Sequence, residues 1–313
     1  MKLNRIAAAC ALALAPVLGA SLAHAASNAV VIGDIDDMSG LYADVIGEGG
    51  IVAVKMAIAD FGGSVLGKKI EFISTDHQNK PDIGASKFRE WVDQNGVTMV
   101  LGGSNTGVSI AMAKQALAKK TPFIAIGAAG ASLTNQDCTP YTVHYAYDTT
   151  ALANGTASTI VKNGGKTWYF LTADYAFGTQ LRDAATKVVE ANGGKSLGEV
   201  RVPLATADFS SFLLQAQGSG AQVLGLANAG GDFVNSLKAA QEFGITKTMK
   251  PAALLAFISD IHGLGLKAAQ GLNLTAAWYW DLNPETRAFS KRYFEKMKKE
   301  PGYNQAAYYS ATM

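Results

Sequence analysis

The chain has little charge, little cysteine and almost no excess of one sign. Only 17% of its 313 residues are charged, with 27 Lys+Arg against 25 Asp+Glu and a formal net charge of +2. So small an excess excludes a protein that grips a polyanion through a basic surface, and no nucleic-acid partner is expected. The two cysteines, Cys10 and Cys138, exclude a scaffold built on disulfides. The four histidines, His24, His77, His144 and His262, stand too far apart in sequence for the close spacing of a zinc site. There is no Gly-x-x-x-x-Gly-Lys-Ser/Thr phosphate loop and no Gly-x-Ser-x-Gly nucleophile elbow. Gly263-Leu264-Gly265-Leu266-Lys267-Ala268 fits a dinucleotide pattern, but residues 260–268 read as helix rather than as a strand-to-helix turn. No metal or cofactor is expected, and no nucleophile stands with a base, so the chain does not read as an enzyme.

Abundant instead are apolar residues, at 49%, and glycine, at 33 residues. That is ample material for a packed core and excludes a disordered chain. Part of it belongs to the N-terminus. Lys2 and Arg5 precede an uncharged apolar run from Ile6 to Leu22, and Ala23-His24-Ala25 offers a signal-peptidase site. Residues 1–25 are read as a cleavable signal peptide, so the mature protein is expected to be exported. Cleavage removes Lys2 and Arg5 and no acid, cancelling the +2. It also leaves Cys138 as the single thiol, expected half-buried in a turn.

After the signal, β-branched runs alternate with helical periodicity. Strands are expected at 30–33, 70–73, 97–101 and 122–126, with helices at 51–61, 82–95 and 109–119 between them. The rhythm restarts from Asp148, with helices at 151–163, 178–191, 212–217 and 232–243. The strands of this half are expected at 167–171, 197–202, 223–226, 254–257 and 272–275. The order predicts α/β architecture, two doubly wound Rossmann-like lobes joined by a hinge near residues 141–148. The lobes are placed at 26–147 with 276–313, and at 148–275. Residues 283–299 and 303–313 read as helices, and the second stops in mid-pattern, so the C-terminus is expected to be truncated.

In open α/β sheets ligands bind beyond the carboxyl ends of the strands. Candidate contacts are therefore sought in those loops. The first half offers Tyr42, Ser104, Asn105, Ala128, Ala129, Gly130 and Tyr147, and the second offers Tyr175, Asn228, Asp232 and Phe257. Ser104 is either a hydroxyl donor to a carboxylate or a helix N-cap. Tyr175 and Phe257 either wall a ligand or pack the lobes, and Asp232 either binds a polar group or caps a helix. Neighbours on a strand face opposite ways, so of Asp36 and Asp37 one is expected buried and one solvated.

Four stretches carry a family resemblance: Met38-Ser39-Gly40-Leu41-Tyr42, Gly102-Gly103-Ser104, Asp174-Tyr175-Ala176-Phe177-Gly178 and Phe243-Gly244-Ile245. In this order, behind a signal peptide, they make the mature chain resemble the periplasmic solute-binding proteins of ABC importers, of the branched-chain amino acid-binding, leucine-binding-like type I family. The resemblance implies a monomer whose two lobes close on a small solute and hand it to an inner-membrane ABC permease. A ligand-sensing receptor domain of the same fold is the alternative. It implies carboxylate binding by Ser104 and by the 128–130 loop. Amino acid-binding members commonly add a hydroxyl in that loop and hold the ammonium with an acid at the position of Ala256-Phe257. This chain has Ala and Gly in the first place and an apolar pair in the second. A buried, unpaired ammonium is costly. The departures favour an organic acid lacking an amine, aromatic acids included, with Tyr42, Tyr147, Tyr175 and Phe257 as walls and Asp232 or Asp260 as reserve anions.

Overall fold

The computed structural model describes residues 29–313, so the signal segment lies outside the described residues. Two sheets form the frame. The first runs β2 (Ser64–Val65), β3 (Lys68–Asp76), β1 (Ala29–Asp36), β4 (Val97–Gly102), β5 (Phe123–Ala125), β6 (Thr142–His144), parallel except for the β2 hairpin arm. The second runs β10 (Lys250–Ala253), β9 (Val223–Ala227), β7 (Thr167–Ala173), β8 (Lys195–Val202), parallel throughout. Each sheet has one place where the chain reverses its direction of winding, between β1 and β4 in the first and between β7 and β9 in the second. Such switch points leave a crevice beyond the strand ends.

The first-sheet helices are α1 (Gly47–Phe61), α2 (Pro81–Gln94) and α3 (Thr106–Lys119); those around the second are α4 (Thr149–Lys162), α5 (Ala176–Ala191), α6 (Ser210–Gly218) and α7 (Gly230–Glu242). Then follow α8 (Ile258–Leu264), α9 (Leu266–Ala269), α10 (Pro284–Met297) and α11 (Tyr303–Thr312). Strand alternation sorts the core. Val31 and Ile35 join Phe88, Met112 and Phe123 on one face of the first sheet, and Ile32 joins Val54, Met56 and Tyr308 on the other. Phe88 meets Phe123 edge-on at 6.1 Å. In the second sheet Trp168 and Phe170 face Leu152 and Leu181, while Leu171 faces Leu213 and Phe233.

Local chemistry sets the helix starts. Pro81 opens α2, where its missing N–H costs nothing. Asp148 caps α4 by accepting the Ala151 N–H at 2.7 Å, and Asn283 caps α10 through the Thr286 N–H at 2.8 Å. The last two helices return to the first sheet. Arg292 Nη2 stands 2.7 Å from both carboxylate oxygens of Asp60 on α1. Gln305 Nε2 donates to the Val45 carbonyl at 2.7 Å.

Four expectations are corrected. Residues 254–257 are not strand; the chain leaves the sheet at Ala253, and Phe257 becomes the N-cap of α8. Residues 272–275 are irregular, because no strand lies alongside; Thr275 is held instead by a 2.9 Å hydroxyl contact with Thr156. Cys138 is exposed, not half-buried. Asp36 and Asp37 are both fully buried. The alternation fails there because β1 ends at Asp36, and Asp37 turns inward to accept the N–H groups of Gly40 at 2.7 Å and Tyr42 at 2.9 Å. Residues 260–268 are helical apart from a break at Gly265, where φ is +83°.

Candidate binding cavity

The loops beyond the two switch points face each other and line a shared cavity. From the first sheet come Tyr42, Val45 and Ile46 after β1, Ser104 and Thr106 after β4, Gly127 and Ala129 after β5, and Tyr147 after β6. From the second come Tyr175 and Phe177 after β7, Ala229 after β9, and Leu255 and Phe257 after β10. No residue of this wall carries a charge.

The polar groups of the wall are hydroxyls. Tyr42 and Tyr175 approach oxygen to oxygen at 2.6 Å, and one hydroxyl of such a pair keeps a hydrogen to give elsewhere. Tyr147 donates to the Gly127 carbonyl at 2.8 Å, so it serves the cavity as an apolar face. It packs edge-on against Phe257 at 6.4 Å and Tyr303 at 4.9 Å. Thr106 Oγ1 accepts the Gly130 N–H at 3.1 Å, which leaves its own hydrogen free to donate. Ser104 Oγ accepts the Asp37 N–H at 3.2 Å and lies 3.1 Å from His77 Nε2. Burial raises Tyr42, Tyr147 and Tyr175 above the ordinary phenol range, so all three stay protonated donors.

Helix starts supply the field. Ile46 is the N-cap of α1, Thr106 the first residue of α3, Tyr175 the N-cap of α5 and Ala229 the N-cap of α7, and all four line the cavity. Each helix start carries a partial positive charge of about half an elementary unit. Four such starts border one uncharged wall, which favours an anion there over a cation, against the carboxylates of Asp37, Asp232 and Asp260 that act on Tyr42 from outside it.

Behind the wall lies a buried acidic layer. Asp36 accepts the Ser104 N–H at 2.9 Å, yet burial still pushes its carboxyl up to about 7. Asp34, wholly buried and without a hydrogen-bond partner, is raised as well, by burial first and by Asp36 second. His77 is wholly buried, and burial lowers it to about 4, so its ring is neutral at ordinary pH.

Of the eleven residues picked from the sequence, Tyr42, Ser104, Ala129, Tyr147, Tyr175 and Phe257 meet at the cavity. The others stand behind it. Asn105 is the N-cap of α3, accepting from Gly107 at 2.8 Å and Val108 at 3.2 Å, so the capping role considered for Ser104 falls to its neighbour. Ala128 is fully buried, and Gly130 is occupied with Thr106. Asn228 gives its amide hydrogens to the Asp232 carbonyl at 3.2 Å and to Ser236 Oγ at 3.0 Å. Asp232 is neither a helix cap nor on the wall; it lies inside the first turn of α7 and accepts the Ala205 N–H at 3.1 Å. Asp260 turns back to the Phe257 N–H at 2.9 Å. Neither reserve anion reaches the enclosed space.

The sequence reading missed Val45, Ile46 and Leu255, and it singled out the loops that hold Thr106, Gly127, Phe177 and Ala229 without picking those residues. For Gly127 a signal existed. A Cβ there would lie 2.8 Å from Ser104 Cα and would collide with Ile46, so only glycine lets these strand-end loops close on the cavity.

Comparisons agree with this geometry. Residues 29–313 match the family described as periplasmic binding protein. A periplasmic binding protein from Burkholderia mallei is 62% identical, with a TM-score of 0.90 over 91% of this chain and 76% of that one. A branched chain amino acid ABC transporter periplasmic ligand-binding protein from Burkholderia xenovorans LB400 is 36% identical, with a TM-score of 0.78 over 90% and 76%. An ABC transporter solute binding protein from Rhodopseudomonas palustris BisB5, solved with 3,4-dihydroxy benzoic acid, is 25% identical, with a TM-score of 0.81 over 90% and 78%. With two parallel sheets facing one another across an uncharged, hydroxyl-lined cavity, the chain belongs to the periplasmic binding protein family, in its ABC transporter type.

Proposed function

We propose that this protein captures a small monocarboxylic acid without an ammonium group between its two lobes and delivers it to an inner-membrane ABC permease. The observation that carries the reading is the cavity wall, which offers hydroxyl donors and four helix starts to an anion and no carboxylate to a cation. An α-amino acid enclosed here would bury its ammonium without a counter-charge, at a cost of several kcal/mol. The carboxylate would lie toward Ser104 and Thr106. The tail would lie against Tyr147, Phe177, Leu255 and Phe257. The Rhodopseudomonas relative, with its dihydroxybenzoic acid, supports the aromatic option.

Binding rather than turnover is the role. The one imidazole beside a wall hydroxyl, His77 at 3.1 Å from Ser104 Oγ, accepts the Asn79 N–H at Nδ1, so the nitrogen that faces the serine carries the ring proton and is not free to take another. Selection would come from closure, since a solute that touches both lobes favours the closed form. The test is a thermal-shift panel of small carboxylic acids, with the stabilising compound recovered after prolonged incubation. The reading expects stabilisation and unchanged solute. Conversion of the solute, or stabilisation by amines alone, contradicts it.

A further inference from the structure

The acidic layer behind the cavity wall is short of donors. Asp34 and Asp36 are alternate residues of β1, so both side chains leave the same face of the strand. Both are fully buried. Gly102 makes room for the first, since a Cβ there would lie 2.9 Å from Asp34 Oδ1. Asp36 has donors around it: the Ser104 N–H at 2.9 Å from Oδ1, the Ser104 side chain and the Asp37 N–H. Asp34 has no N–H or O–H donor at either oxygen. The group it faces within hydrogen-bonding reach is the Asp36 carboxyl.

Nothing around the two supplies a positive charge. Among the described residues neither carboxyl pairs with a lysine or an arginine. His77 Nε2 stands 3.9 Å from Asp36 Oδ1, and burial keeps that ring neutral. Asp37 after β1 adds a like charge, and Tyr147 after β6 brings a phenol that burial keeps protonated. Val54 and Met56 of α1 and Tyr308 of α11 lie on this face of the sheet and bring no cation. Two like charges side by side in a buried space do not both ionise. Two carboxylates also cannot hydrogen-bond each other, whereas an acid and a carboxylate can. One proton between them removes both difficulties. It belongs on Asp34, because the donors around Asp36 favour the ionised form there.

We propose that Asp34 is a neutral acid that donates to Asp36, and that the pair positions the cavity wall, Asp36 holding the loop that carries Ser104 and Thr106. Asp34 touches no solute and acts through Asp36 and that loop. Its effect on the solute rests on the carboxylate-binding reading above; its proton does not.

Two measurements on the full chain test it. The first needs no solute: the infrared difference between wild type and Asp34→Asn at pH 7, with carbon-13 in the aspartate carboxyls to assign the band. One protonated-carboxyl stretch should be lost with Asp34. No difference in that region would mean that both carboxyls are ionised, which overturns the proposal whatever the protein binds. The second is affinity for the acid that stabilises the wild type. Asp34→Leu, similar in size and without a donor, should bind it about tenfold more weakly. Asp34→Asn, which keeps an N–H donor for Asp36, should recover most of that loss. Equal losses in the two variants, or no loss in either, would overturn the proposal. Should Asp34→Leu fail to fold, the affinity of Asp34→Asn and the infrared band still decide it. If no acid binds the wild type, the carboxylate reading fails, and the infrared band decides the proton by itself.

Discussion

Tyr42 and Tyr175 meet hydroxyl to hydroxyl at 2.6 Å, one carried by the loop after β1 and the other by the N-cap of α5. The contact joins loops of the two sheets at the cavity wall, so under the proposed closure it belongs to the closed form and is lost when the lobes part. Tyr175→Phe should therefore shift the ligand-free protein toward an open form, read as a larger radius of gyration in solution scattering. It should weaken solute binding by roughly three- to tenfold. Tyr42→Phe should do the same, and the double variant should be no worse than either single one. Additive losses would show that each hydroxyl acts alone.

Ser104→Ala removes a hydroxyl that lines the cavity and leaves the His77 imidazole and the Asp37 N–H without their hydroxyl partner. Affinity for the acid should fall by ~1–3 kcal/mol, measured by calorimetry. Thr106→Val keeps the shape of that wall and deletes its second hydroxyl, so a loss of similar sign but smaller size is expected. Unchanged affinity in both variants would leave the anion to the helix starts alone.

Gly127→Ala places a methyl group between Ile46 and Ser104, where no space exists. Overpacking of this kind costs about 1–3 kcal/mol of stability. The variant should still fold, with a lower melting temperature, and should lose at least tenfold in affinity because the cavity floor moves.

Much of this site was legible because parallel strands deliver their following loops to one end of a sheet. Tyr42, Ser104 and Tyr175 could be picked on that rule alone. Ile46 could not, and Thr106 and Phe177 lay in the right loops without standing out, since an apolar or β-branched residue in the first turn of a helix has the same signature whether it faces a core or a cavity. Asn228 and Asp232 were misread for the opposite reason. Polar residues at a helix start look available, but their hydrogen bonds go to nearby backbone and to Ser236. The second sheet shows the limit of composition. The Leu254–Phe257 run is apolar because it is buried, not because it pairs.

Burial raises the Asp260 carboxyl to about 7, which makes folding favour its protonated form. That contribution is complete below about pH 4, the ordinary value of an unfolded aspartate, and is lost as pH rises through 7. Asp260→Asn cannot ionise and keeps an oxygen for the Phe257 N–H. Relative to wild type, it should gain a few degrees in melting temperature at pH 8 and little or nothing at pH 4. A difference independent of pH would mean that the carboxyl ionises freely where it stands.

The account turns on an uncharged cavity that welcomes a carboxylate and has no place for an ammonium. Calorimetric titration with matched pairs puts that to the test: leucine against 4-methylpentanoate, and phenylalanine against 3-phenylpropanoate. Each pair differs by one amine. Binding of the deaminated acid at least a hundredfold tighter than its amino acid is expected in whichever pair fits the cavity, a ratio equivalent to about 2.7 kcal/mol. Tight binding of leucine or phenylalanine with none of the matching acid would contradict the account.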